Sequence, residues 1–89
     1  MARHQDSVAN KLKWDETALQ LAFGLDDEGI KGALPSLYLN IAKCHEELND
    51  FTKAKENYQN GLTYTSFLHE DGYGNMVRAG INAGIERVS

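Results

Sequence analysis

Apolar residues recur in this chain with the period of a helix, in four stretches, and no stretch alternates as a half-buried strand does. The four share 89 residues, so each is short, and a short helix is stable only when a neighbour covers its apolar face. The first stretch spans about 6–25. It carries one stripe of Leu12, Leu19 and Phe23 and a wider one of Trp14, Ala18, Leu21, Ala22 and Leu25. Apolar groups on two sides predict burial by more than one neighbour. The second runs from Pro35 to about Leu48, with Leu37, Ile41, Cys44 and Leu48 in line and Tyr38, Ala42 and His45 beside them. The third, from Phe51 to about Thr65, offers Phe51, Ala54, Tyr58, Leu62 and Thr65 for burial. The fourth, about 74–88, has Val77, Ile81, Ile85 and Val88.

The breaks fit this reading. Gly24 to Gly32 contains Asp26, Asp27, Glu28 and Gly29, with Ile30, Ala33 and Leu34 able to continue a helical pattern. Pro35 suits a first helical turn, where its missing N–H costs nothing. Asn49 and Asp50 make a tight turn, and Asp50 can cap the helix that follows. Ser66 to Gly74 holds Glu70, Asp71, Gly72 and Tyr73. Short connections between helices predict antiparallel hairpins. The expectation is one all-α domain over 1–89.

Composition narrows the function. Asp and Glu number 13 against 9 Lys and Arg, a formal charge of -4. That balance opposes nonspecific nucleic-acid binding, whose affinity comes from neutralised phosphates. Hydrophobic residues make up 42% of the chain, too many for a disordered tail. No apolar run approaches the roughly 20 residues of a membrane span, and the first residues lack the apolar core of a secretory signal. One cysteine excludes an internal disulfide and a Cys-rich zinc site. The expected location is cytoplasmic, with no membrane and no nucleic acid among the partners.

Residues 35–66 carry a recognisable pattern. The tetratricopeptide repeat is a 34-residue helix–turn–helix unit with W-x2-L-G-x2-Y, then A-x3-F, then P. Here Tyr38, Ile41, Ala42 and His45 stand at the first set of spacings. Leu48 to Phe51 make the turn, and Ala54, Tyr58, Gly61 and Leu62 follow at the second set. The segment resembles a tetratricopeptide repeat. Ala42 and Ala54 are small enough for the two helices to approach, and Tyr38 and Tyr58 fill the space beside them. His45 replaces an aromatic, Ser66 a closing proline, and Gly61 an alanine at about 1 kcal/mol of helix propensity. Trp14, Ala18, Ala22 and Leu25 resemble the second helix of a preceding repeat, and Met76, Ala79, Gly80 and Ala83 the first helix of a following one. The stretches 34–40 and 71–74 also resemble small bacterial tetratricopeptide proteins. The resemblance implies a right-handed stack of about four helices: a full repeat at 35–66, with partial repeats or capping helices at 6–25 and 74–88.

It also implies a scaffold that binds a peptide or protein partner on a concave face lined by first helices. Its groove-facing positions here are Ser36, Leu39, Asn40, Lys43, Glu46 and Glu47. Helical geometry agrees for Ser36, Asn40, Lys43 and Glu47, which lie opposite the buried stripe. An asparagine such as Asn40 can donate to and accept from a peptide backbone at once, and Lys43 can meet a carboxylate. Glu46 and Glu47 oppose the all-basic groove of a carboxylate clamp. A repeat cannot bury its apolar faces alone, so Leu12, Trp14, Leu19 and Phe23 are candidates for self-association as a homodimer. A helix preceding this segment, or exchange of a terminal helix, would serve the same need.

Other motifs carry less. Cys44 and His45 are neighbours on a helix and point about 100° apart, so packed core positions explain them better than a metal. Asp26 to Gly29 lacks the alternating ligands of a calcium loop. Gly72 to Gly74 follows a helix and lacks the Lys and Ser/Thr of a phosphate loop. Gly80 and Gly84, four apart, read as a smooth face for close helix contact. No nucleophile, base and orienting group come together. The reading is a protein–protein interaction module with no catalysis and no cofactor. Three rivals stand beside it: a self-assembling structural module, a small ligand carrier or enzyme with a pocket near His45 and Tyr38, and a regulatory domain of a longer chain.

Overall fold

The computed structural model describes residues 4–25 and 28–89, with side chains over 7–25 and 30–89. The order is α1 (His4–Gly24), a single turn α2 (Glu28–Lys31), α3 (Leu34–Glu47), α4 (Phe51–Thr63), a 3-10 turn at Thr65–Phe67, and α5 (Gly72–Val88). Pro35 sits in the first turn of α3. Asp50 caps α4, its carboxylate accepting from the Lys53 amide at 3.2 Å. Asp71 caps α5 through the Gly74 amide at 2.8 Å. Between α3 and α4 the chain reverses at Asn49, whose φ of 64° is the left-handed conformation that closes a helix. The Asp50 amide there donates to the His45 carbonyl at 2.8 Å.

The four long helices pack on their neighbours in a compact all-α globule, with a radius of gyration of 13.0 Å. α3 is the hub: it packs on α4 most extensively, on α1, and on α5, while α4 also packs on α5. Tyr58, Ala42 and Ala54 are fully enclosed, and with Leu39, Leu68, Val77 and Ile81 they form the larger core. Ala22, Leu34 and Tyr38 form a second, between α1 and α3, with Leu19, Ile30, Leu37 and Tyr64 packed against it.

Glycines set how closely the helices approach. A Cβ on Gly84 would collide with the Tyr58 ring. One on Gly80 would lie 3.2 Å from Leu39 Cδ2, and one on Gly61 3.1 Å from Tyr38 Cβ. Gly61 therefore gives up helix propensity where α4 meets both α3 and α5. The connection before α5 is pinned by Arg78, whose guanidinium donates to the carbonyls of Leu68 at 3.0 Å, Thr65 at 3.2 Å and His69 at 3.4 Å.

The stripes differ from expectation in places. Phe51 and Leu62 are 49% and 42% exposed rather than buried, because they lie on the flank of the α4 stripe centred on Ala54, Tyr58 and Gly61. The two-sided burial expected of the first helix is also absent. Its buried side is Val8 and Ala22, with Leu12 and Leu19 partly covered; Trp14, Leu21 and Leu25 point outward. Asp26 and Asp27 of the acidic run lie outside the described residues.

Candidate functional site

The polar face expected on the second helix is one open arc of α3. Ser36 and Asn40 are half-buried, and Lys43 and Glu47 are exposed. These residues recur at three- and four-residue spacing, so they project on one side of α3. Among the described residues the Asn40 side chain has no hydrogen-bond partner, which leaves both its donor and its acceptor for a ligand.

Leu39 is not on that arc. It is 9% exposed and belongs to the larger core, its methyls seated on Gly80 of α5. The expectation of Leu39 as a partner contact is corrected: a glycine opposite lets the helices close over it. The Leu39–Gly80 contact in turn sets α3 and α5 side by side. On the α5 side of this seam Met76, Ala79 and Ala83 are exposed, Met76 at 63%. Each row borders the seam on its own helix, with hydroxyl, amide, ammonium and carboxylate groups on α3 and apolar groups on α5.

Glu46 is likewise committed to the fold. The Tyr58 hydroxyl donates to its carboxylate at 2.8 Å, and Arg87 Nε donates at 3.0 Å. Arg87 Nη2 also donates to the Tyr58 hydroxyl at 3.2 Å. The Arg87 hydrogen bonds, reinforced by that from Tyr58, hold the Glu46 carboxyl below its ordinary range against the opposing effect of burial. Burial first, then the Glu46 carboxylate, pushes the Tyr58 phenol up to about 12. This triad ties α3, α4 and α5 together at one end. Sequence reading misses it: Glu46 and Arg87 are 41 residues apart, and no local pattern pairs them.

The four residues expected to self-associate do not share a surface. Leu19 packs toward Leu34 and Tyr38, and Leu12 lies partly covered on the same side. Phe23 meets Tyr38 and Tyr64 edge-on at 6.4 and 6.0 Å. Tyr38 stacks on Tyr64 at 5.8 Å, and Lys31 lies 5.8 Å from the Phe67 ring centre. Trp14 alone of the four stands free, 76% exposed on the far side of α1.

Cys44 and His45 are both buried core positions. Burial pushes the Cys44 thiol up, with Asp15, Glu47 and Glu16 adding to the effect and Lys11 opposing it. A protonated thiol is a poor nucleophile and a poor metal ligand. The Tyr38 ring is covered by Tyr64. A surface hollow of about 270 Å³ lies elsewhere, lined by Asn10, Lys13, Trp14 and Thr17 of α1. Among the described residues no helix is long and apolar enough to cross a membrane.

Comparison of the chain with models of known families, with curated proteins and with solved structures finds no match. The residues themselves carry the functional reading.

Proposed function

We propose that this chain is a non-catalytic interaction module of the tetratricopeptide type, which holds an extended peptide segment of a partner protein along the α3/α5 face. The observation that carries the reading is the seam at Leu39 and Gly80. Ser36, Asn40, Lys43 and Glu47 lie to one side of Leu39 on α3, and the exposed Met76, Ala79 and Ala83 lie to one side of Gly80 on α5; in this reading the two rows make one partner-binding face. The Asn40 amide meets the partner's backbone, and the apolar row on α5 receives one of its side chains. Support for the family comes from the hairpin at 35–66, where Ala42 and Ala54 are fully enclosed between the helices and Tyr58 fills the space beside them.

The test is selection from a library of displayed random peptides, followed by titration of an enriched synthetic peptide. The Asn40→Ala/Lys43→Glu variant keeps its helix, since alanine is a better helix former than asparagine. Loss of both contacts weakens binding about tenfold or more, equivalent to at least ~1.4 kcal/mol. Equal binding to both proteins contradicts the proposal.

A further inference from the structure

The outer face of α1 is a second surface, unconnected with the seam. At 100° per residue, Asn10, Trp14, Thr17 and Leu21 lie opposite the side that Val8, Leu19 and Ala22 turn toward the rest of the protein. Trp14 is 76%, Leu21 65% and Leu25 54% exposed. An aromatic and two leucines along one helix face form a patch of the size that marks interaction surfaces.

The patch has relief. Its hollow of about 270 Å³ is bounded by Asn10, Lys13, Trp14 and Thr17. Those are positions i, i+3, i+4 and i+7 of one helix, the four that form a hole for a knob from a facing helix. Leu21 stands on the same face, two turns further on, as a knob. Hole and knob lie on either side of Thr17 and Ala18. A two-fold axis there makes each copy's Leu21 meet the other's hole, the reciprocity an isologous contact requires. The centre is small and can go dry: the Thr17 hydroxyl already donates to the Lys13 carbonyl at 2.9 Å, so its burial strands no donor.

Charge selects the direction. The charges of the described α1 side chains, Lys11, Lys13, Asp15 and Glu16, all lie in its N-terminal half, and residues 18–25 carry none. A parallel pair sets like charge against like charge, whereas an antiparallel pair sets each charged half over the other's neutral apolar half. Trp14, Leu21, Leu25 and the stems around them offer on the order of 500 Å² per copy. A symmetric pair then buries ~1,000 Å², the lower bound for a specific interface. We infer that a second copy of this chain covers α1, antiparallel, with Leu21 of each seated beside Trp14 of the other.

The full chain is examined by sedimentation equilibrium over a hundredfold range of concentration. The expected mass rises from 9.9 kDa toward twice that value. Trp14 is the sole tryptophan, so its emission shifts to the blue and its quenching by acrylamide falls in step. Leu21→Lys, at an exposed position, keeps its helicity and weakens association at least tenfold. For direction, Asn10→Cys chains cross-link to Leu25→Cys chains and not to themselves; native Cys44 is buried and does not interfere. Three results overturn the inference: a monomer at every concentration, a dimer that survives Leu21→Lys with Trp14 still freely quenched, or Asn10→Cys chains that join one another.

Discussion

Tyr58 is the residue on which most of the packing converges. It is enclosed between α3, α4 and α5, rests on the backbone at Gly84, and shares its hydroxyl with Glu46 and Arg87. Gly84→Ala therefore puts a methyl into an aromatic ring and lowers stability by about 1–3 kcal/mol, the usual range for overpacking. Gly80→Ala, which meets only the flexible end of Leu39, costs less; urea unfolding of both variants checks the order. Tyr58→Phe keeps the ring and removes two hydrogen bonds, to Glu46 and from Arg87, costing about 1–2 kcal/mol. It also changes the pH response. The Tyr58 pKa is raised on folding to about 12, so its contribution is complete below the unfolded value near 10 and is lost as pH rises through the folded value. The wild type then loses stability on that alkaline limb, and the Tyr58→Phe difference shrinks there. Glu46 behaves in the opposite sense. Its pKa is lowered on folding, so its contribution is present above the unfolded carboxylate value and fades as pH falls through the lower folded one. Stability curves of wild type and Glu46→Gln converge at acid pH.

The helix ends were open to reading from the sequence because their signals are local. Pro35 stands in the first turn of α3, and Asp50 bonds a group three residues on; Asp71 caps α5 over the same distance, inside a stretch that reads only as a break. Asp71→Ala removes the cap of α5 and costs about 1 kcal/mol. The loss appears in hydrogen exchange as faster opening of the first turn of α5 than of α3. Burial was legible where a helix has neighbours on several sides, as α3 does, and less so at its edges. Phe51 and Leu62 are apolar at plausible spacing, yet stay half exposed because apolar character does not say which flank is covered. Leu39 shows the converse: the family resemblance sets it on an open face, and only the absence of a side chain at Gly80, 41 positions on, explains its burial. The Glu46–Tyr58–Arg87 triad and the Arg78 clasp depend on tertiary proximity and left no trace in local pattern.

At the scale of the whole molecule the fold separates two surfaces. On either side of the Leu39–Gly80 seam α3 carries the free Asn40 amide and α5 an exposed apolar row, and the outer side of α1 carries Trp14 and Leu21. Packing on α3 holds both in place, so a variant at one leaves the other's assay intact. Asn40→Ala/Lys43→Glu is expected to dimerise like the wild type, and Leu21→Lys to bind the selected peptide like the wild type. The all-α class was readable from period alone. Of the proposed partner face only the α3 half is legible in one helix, because Ser36, Asn40 and Lys43 belong to α3 whereas Met76, Ala79 and Ala83 come from α5.

The most direct test of the central claim is to map a selected peptide by amide chemical shifts on the isotope-labelled full chain. Binding at the seam moves the signals of Ser36, Asn40, Lys43, Met76, Ala79 and Ala83 together, with those of Lys53, Glu56 and Gln59 on the outer side of α4 unmoved. Shifts confined to α4, or to the Trp14 side of α1, would contradict it.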